Sequence, residues 1–320
     1  MSHHAQTAQI LPGSVIANRY MVERVIGSGA FGTVYEVLDT KTSTELALKV
    51  LNEHMHSHAH AREMMLREGK ILQKLEHPNV VKCYEVWEEG QEVYVATELL
   101  EGDTLATMLE KGEALDPVFV LTVAEQLADA LAHLHERGVV HRDIKPENIF
   151  IERRLGRAWP VIMDFGLAFV ESSRTLGRLD TSENSVSGTP LYMSPEQITS
   201  QRITSATDVY SLGSVVFEML TGRAPFEEPG LGAIETMKRQ VVAKPVEFFL
   251  DWDEGALNTL VEWMLAKKPE ERIMAAAVAE VLRAHELHPA SSSPYGWHTT
   301  RPTPIATVGA FGKLAFRSSK

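Results

Sequence analysis

The sequence predicts an α+β fold of two unequal lobes, a small β-rich lobe followed by a larger, mostly helical one. Three observations predict it. Over about residues 19–99, apolar residues come in short strand-like stretches broken by glycine and polar turns, the pattern of an antiparallel meander. After Glu101-Gly102-Asp103 the apolar positions change to a helical period, as in Val120, Val123, Ala124, Leu127, Leu131 and Leu134. The chain has 320 residues, 44% of them hydrophobic, which is ample for well-buried cores.

Residues 1–18 read as a polar leader, and MSHHAQTAQILPG lacks the basic-then-apolar pattern of a signal peptide. Tyr20 to Ile26 forms a strand that leads into a glycine turn. Thr33 to Leu38 leaves it and ends at Asp39-Thr40-Lys41, and Glu45 to Leu51 makes a third strand. A helix over about 61–76 draws its apolar face from Met64, Leu66, Ile71, Leu72 and Leu75, and His77-Pro78-Asn79 stops it. Strands follow at Val80–Trp87 and Glu92–Leu99, and the lobes join near Glu98–Gly102. In the second lobe the helix through Leu134 ends at Gly138. A strongly apolar helix covers 207–221, Leu257, Leu260, Val261, Met264 and Leu265 mark another, and a last one spans about 275–287. The basic stretch Arg153 to Trp159 reads as a surface hairpin, and the Ser/Pro/Thr-rich residues 288–320 as a flexible tail. The organisation is thus leader 1–18, main domain 19–287 and tail 288–320.

A net charge of −12 argues against nucleic acid as a partner, because phosphate binding needs a basic footprint, and against attraction to anionic membrane surfaces. No segment approaches the apolar length of a membrane span. With Cys83 as the single cysteine, no intramolecular disulfide can form, which suits a reducing cytoplasm. Nothing in the sequence sets the oligomeric state.

Gly27-Ser28-Gly29-Ala30-Phe31-Gly32 has a spacing that dinucleotide folds also use, but here a strand follows it instead of a helix. That favours a hairpin flap whose backbone N–H groups approach phosphate oxygens, over an ordinary hairpin turn. Lys49 lies in an otherwise apolar strand, where burial is costly without a partner, and Glu68 on the next helix could supply one. At about 4 Å and an effective dielectric near 20, such a pair attracts by roughly 4 kcal/mol.

His141-Arg142-Asp143-Ile144-Lys145-Pro146-Glu147-Asn148 matches H-R-D-x-x-x-x-N without a gap, Asp164-Phe165-Gly166 follows, and Ser194-Pro195-Glu196 stands in an A-P-E position with serine for alanine. Over about residues 20–286 this ordered set resembles the eukaryotic-type Ser/Thr protein kinase family. The Leu11-Pro12 … Arg19-Tyr20 opening and the Ser194-Pro195-Glu196-Gln197 close resemble its bacterial members. The resemblance implies a bilobal kinase fold and transfer of the ATP γ-phosphoryl group to Ser/Thr hydroxyls of protein substrates. It implies that Gly27 to Gly32, with Thr33, cover the phosphates. Lys49 would hold the α- and β-phosphates, positioned by Glu68. Asn148 and Asp164 would ligate Mg²⁺, with Mn²⁺ as an alternative ion. Asp143 would take the substrate hydroxyl's proton, and Lys145 would reach the transferring group. Ile26, Val34 and Ala47 would roof the adenine and Phe150 would floor it. Backbone groups of Glu98 and Leu100 would bind its edge, with Thr97 at the gatekeeper position. Thr189 in Gly188-Thr189-Pro190, together with Lys145, marks Ser/Thr preference, and Thr181, Ser182 and Ser185 are candidate autophosphorylation sites. Asp208 and Arg272 fall at structural positions of the family. Met64 and Phe169 stand where members switched on by phosphorylation often place basic partners for Arg142.

Three further features have blander readings. The alternating His54, His56, His58 and His60 could share a strand face toward a metal, but no partner ligands accompany them, and a solvated loop is expected. Cys83 corresponds to a position in an apolar column with Leu72, Phe165 and His141, and is expected to be a small core residue. The acidic surface reads chiefly as a solubility device. Two other functions use a similar core: a nucleotide-binding pseudokinase scaffold, which the complete set of catalytic groups disfavours, and a small-molecule kinase, which the long segment from Asp164 to Glu196 disfavours.

Overall fold

The computed structural model describes residues 10–29, 31–110, 112–154, 156–166, 169–170, 190–228, 230–244 and 256–286. The chain divides into two compact units, taken over these residues: Met1–Gly102 joined by Met163–Ala168, and Asp103–Ile162 joined by Phe169–Lys320. The segment bearing Asp164-Phe165-Gly166 therefore belongs with the first unit, although the lobe boundary expected near residue 99 assigns it to the second.

The first unit is a six-stranded antiparallel sheet in the order β1-β2-β3-β4-β6-β5. The strands are β1 Val15–Ile16, β2 Tyr20–Ser28, β3 Gly32–Asp39, β4 Thr44–Leu51, β5 Cys83–Glu89 and β6 Glu92–Glu98. Alternation fixes the register: Tyr35 and Val37 on β3, Leu46, Leu48 and Val50 on β4, and Tyr94 and Ala96 on β6 join one buried cluster with Tyr20 and Val22. Tyr20, Trp87 and Tyr94 stack with ring centroids 5.4 and 4.8 Å apart. The expected leader needs correction from residue 10 onward. Ile16 is buried in this cluster, β1 pairs with β2, and the Gly13 N–H donates to the Val22 carbonyl at 2.8 Å. The signal that identifies this strand is Val15-Ile16 alone, too short for periodicity to register.

Helix α1, Ala59–Leu72, packs on β5 and β6. It stops four residues before the expected end, and turns centred on Gln73–Leu75 take up the remaining N–H groups. β5 begins three residues later than expected; Val80 and Val81 are buried but lie outside the strand. A glycine lies on the buried side of α1. A Cβ on Gly69 would sit 2.5 Å from Val86 Cγ2, so helix and sheet meet this closely only because that atom is missing.

The second unit is mostly helical: α2 Leu105–Leu109, α3 Pro117–Glu136, α4 Pro195–Ile198, α5 Ala206–Thr221, α6 Ala233–Val242, α7 Ala256–Met264 and α8 Ala275–Glu286. It also holds β7 Gly102–Thr104 from its second residue onward, β8 Val139–Val140, β9 Ile149–Arg154, β10 Arg157–Ile162 and β11 Phe169–Val170, in the sheets β10-β9-β7 and β11-β8. Helix α3 starts at Pro117 with the Asp116 carboxylate accepting from the Phe119 N–H at 3.1 Å, and gives way to left-handed Gly138. By length and composition alone α3 could cross a membrane, which the sequence reading did not anticipate. Its apolar residues are spent on α5, α8 and β10. The expected basic hairpin is β9–β10, with Arg154 over the Trp159 ring at 4.9 Å. Helix α6 and the short elements β7, β8, β11, α2 and α4 have no counterpart in the sequence reading. The candidate acceptors Thr181, Ser182 and Ser185, with Thr189, Ala30, residues 1–9 and the tail 288–320, lie outside the described residues.

Candidate active site

In the first unit, β4 and α1 bring a cation and a carboxylate together. Lys49 Nζ lies 2.9 Å from both carboxylate oxygens of Glu68 and 3.4 Å from Asp164 Oδ1. Burial disfavours the ammonium, but the two carboxylates outweigh it and hold Lys49 above its ordinary value. Burial pushes Glu68 up, while the charge on Lys49 pulls it back. Asp164 has φ +60°, a left-handed conformation uncommon outside glycine, and its Oδ1 also accepts from the Gly166 N–H at 3.4 Å. Phe165 and Leu72 are fully buried; Cys83, 9% exposed, is also a core residue, and burial pushes its thiol up to about 11, so it is inert as expected.

The glycine-rich turn joins β2 to β3, closed by a 2.9 Å bond from the Gly29 N–H to the Gly32 carbonyl. A Cβ on Gly32 would meet the Val50 carbonyl oxygen at 2.8 Å. Ile26, Ser28, Gly29 and Phe31 are exposed, Gly27 and Val34 partly so, and Ala47 is buried. Thr33 is buried, and its hydroxyl donates to Asn52 Oδ1 at 2.9 Å. Thr97 pairs with Ala47 across β4 and β6. The N–H of Glu98 is committed to the Lys82 carbonyl at 2.9 Å, so Glu98 has only its carbonyl to offer an adenine edge. Leu100 is half-buried in the strand-free stretch that follows.

In the second unit the loop after β8 carries the other candidates. Lys145 Nζ lies 2.8 Å from Asp143 Oδ2, and Asn148 Nδ2 donates to the same oxygen at 2.9 Å and to the Asp143 carbonyl at 2.8 Å. Both donors fall on Oδ2, which among the described residues leaves Oδ1 to accept a hydroxyl. Because the amide nitrogen of Asn148 is bound to Asp143, its carboxamide oxygen is the atom suited to a hard cation. Arg142 has φ +70°. Its N–H donates to Asp208 Oδ1 at 2.8 Å, its carbonyl accepts from Gln197 Nε2 at 2.8 Å, and the His141 N–H donates to Asp208 Oδ2 at 2.9 Å. Asp208 is fully buried. Burial would raise its carboxyl, but His135 Nε2 at 2.9 Å and the backbone donors overcome that and hold it below the usual range. Glu196 forms a buried ion pair with Arg272 at 2.5 and 2.7 Å, and Thr207 donates to it. Phe150 is half-buried on β9.

The structure thus brings Lys49, Glu68 and Asp164 together in one unit and Asp143, Lys145 and Asn148 in the other. The sequence reading missed Asn52, Gly69 and Gln197. Gly69 carried a usable signal, a glycine inside a helical pattern immediately after the acidic partner. Gln197 is the third residue of a capping box with Ser194, which marks a helix start but not its bond to Arg142. The His54–His60 run leads into α1, with His56 Nε2 bonded to the Leu51 carbonyl; no metal-holding group of His, Cys, Asp or Glu occurs among the described residues.

Comparison with known proteins gives the same picture. Residues 20–283 match the family model for the protein kinase domain. The chain is 34% identical over 279 residues to the serine/threonine-protein kinase PkaA of Streptomyces coelicolor, covering 84% of this chain and 50% of that protein. It is 38% identical over 218 residues to the serine/threonine-protein kinase PrkC of Bacillus subtilis, covering 68% of this chain and 33% of that one. With Pkn1 of Myxococcus xanthus the identity is 30% over 290 residues, 90% of this chain and 41% of the relative. The chain therefore spans half or less of the length of these relatives, whose domain family uses ATP and a divalent metal. With the ordered motifs, the Lys49–Glu68 pair and the Asp143 loop all present, the chain belongs to the protein kinase domain family, among its bacterial serine/threonine members.

Proposed function

We propose that this chain is an active serine/threonine protein kinase that uses Mg²⁺ and ATP. The observation that carries the reading is Asp143, with one carboxylate oxygen fixed by Lys145 and Asn148 and the other left to accept a hydroxyl. In the reaction a Ser or Thr oxygen attacks the γ-phosphorus, the bond to the β–γ bridging oxygen breaks, ADP leaves, and the hydroxyl proton passes to Asp143. Such transfer needs alignment and charge neutralisation more than covalent help. Lys49 neutralises and holds phosphate oxygens, and Glu68 keeps it in place. Asp164 and Asn148 offer the hard oxygen donors that Mg²⁺ prefers, and the ion when bound neutralises phosphate charge. The ATP requirement supports a cytoplasmic catalytic domain acting on protein substrates. Autophosphorylation among Thr181, Ser182 and Ser185, and substrate selection at Thr189, belong to the same proposal.

The test is transfer from γ-labelled ATP to the chain itself and to a generic basic protein, in wild type and Asp143→Asn. The expected loss of turnover is about 10²- to 10⁴-fold, with nucleotide affinity nearly unchanged. Wild-type-like turnover in Asp143→Asn overturns the assignment. ATP binding without transfer by the wild type makes the chain a nucleotide-binding scaffold instead. Phosphosite mapping on the same samples checks the three acceptors.

A further inference from the structure

We infer that Asn52 is a positioning residue for phosphate binding, the clasp that sets the glycine-rich loop. The inference rests on the nucleotide-binding reading above. Asn52 follows the last residue of β4 and lies three residues after Lys49. It is 6% exposed, and it meets the loop at three points. Its Nδ2 donates to the Gly29 carbonyl at 2.9 Å, its Oδ1 accepts from the Thr33 hydroxyl at 2.9 Å, and its backbone N–H donates to the Phe31 carbonyl at 2.9 Å. The amide can face only this way round, because the Gly29 carbonyl oxygen can only accept.

Beyond the pairing of its flanking strands and the Gly29–Gly32 bond, the described residues of the loop have little packing to fix them. Ser28, Gly29 and Phe31 are exposed, so apolar burial contributes little there, and glycines lose the most backbone freedom when ordered. A buried amide bonded at both ends opposes that loss, since breaking either bond strands a polar group away from water. One strand therefore sets both phosphate-binding elements: its side chain at Lys49, and the loop through Asn52. Removing the clasp costs alignment of the loop N–H groups, which touch phosphates, and leaves the adenine surface of β4 and β6 unaltered.

The discriminating measurement is the affinity of the full chain for Mg·ADP and for adenosine, by calorimetry, with thermal melts as a folding control. Asn52→Ala is expected to weaken ADP binding about tenfold, the scale of one or two lost buried hydrogen bonds, with adenosine within about twofold. Asn52→Asp keeps the acceptor for Thr33 but turns an oxygen onto the Gly29 carbonyl, and is expected to match Asn52→Ala. Thr33→Val keeps the shape and removes one bond; its expected loss is about threefold for ADP alone, and it carries the test if Asn52→Ala does not fold. Equal losses for ADP and adenosine, or none for either, overturn the inference. A wild type that binds neither compound overturns the nucleotide reading, and this inference with it.

Discussion

Arg142 is held at φ +70°, in a region that costs a residue with a side chain about 1–2 kcal/mol. The loop can afford this because its polar backbone is caught on both sides, by the two oxygens of Asp208 and by Gln197. The strain sits immediately before Asp143, so what relaxes Arg142 also turns the carboxylate proposed as the base. Replacing Asp208 by Asn keeps the size but leaves one oxygen for at most two of the three donors and turns an NH₂ group onto the rest. A lost charge-assisted bond is worth about 1.5–3 kcal/mol, so turnover of Asp208→Asn should fall about 10- to 100-fold. Steady-state kinetics beside Asp143→Asn checks it; turnover equal to wild type would mean that Asp208 holds only the fold. A second residue-level expectation concerns Glu196. Glu196→Ala leaves the Arg272 guanidinium charged and buried, a change expected to cost about 3–5 kcal/mol in a denaturant melt. Replacing both by apolar residues should cost clearly less, because no orphan charge remains; equal costs would refute that account.

The long elements were legible because periodicity is a property of many residues at once: β2, β3, β4 and α5 lie within two residues of the expected bounds, and α3 ends two residues before the expected Gly138. The proposed catalytic groups were legible for a different reason. Lys49, Asp143, Asn148 and Asp164 are bound to an ordered set of motifs, whereas their supports are set by three-dimensional approach. Thr33 read as a ligand residue by its place in the loop, and only the Asn52 side chain reveals why its hydroxyl turns inward. Short pieces such as β1, β8 and α4 carry too few residues for a pattern, and α1 stopped early because three successive turns capped it before Pro78. Gly69 shows how an element's packing can govern chemistry. Since α1 presents Glu68 to Lys49, the closeness of α1 to β5 sets that pair. Gly69→Ala places a Cβ against Val86, and such overpacking costs about 1–3 kcal/mol. The expected outcome is reduced activity with a raised KM for ATP, and recovery when Val86→Ala is added. A double variant no better than Gly69→Ala would show that the contact does not set the pair.

Across the whole chain, stability should depend on pH through groups in both units. Arg19 makes a two-point bond to Asp39 at 2.9 and 2.7 Å and holds that carboxyl well below its usual range; Glu196 and Asp208 are also held low. A lowered carboxyl binds fewer protons folded than unfolded. Its contribution is therefore full above the ordinary carboxylate value, about 4, and is lost as the pH falls through the depressed folded value. The alkaline side runs through Lys267. Burial, with Arg272 beside it, pushes its ammonium down to about 7, although Nζ lies 2.7 Å from the Gln240 carbonyl and 4.0 Å from the centre of the Phe226 ring. No carboxylate pairs with it among the described residues. Between about pH 7 and 10 the unfolded chain then binds more protons at this site than the folded chain does, so stability should rise with pH over that window. Lys267→Met keeps the apolar stem and removes the titration. It should melt at a higher temperature than wild type at pH 7, and the difference should shrink steadily as the pH approaches 10. Thermal melts of both proteins across the window decide it. Parallel curves would mean that the Gln240 carbonyl and the Phe226 ring hold the ammonium as well as water does, and that burying Lys267 carries no penalty.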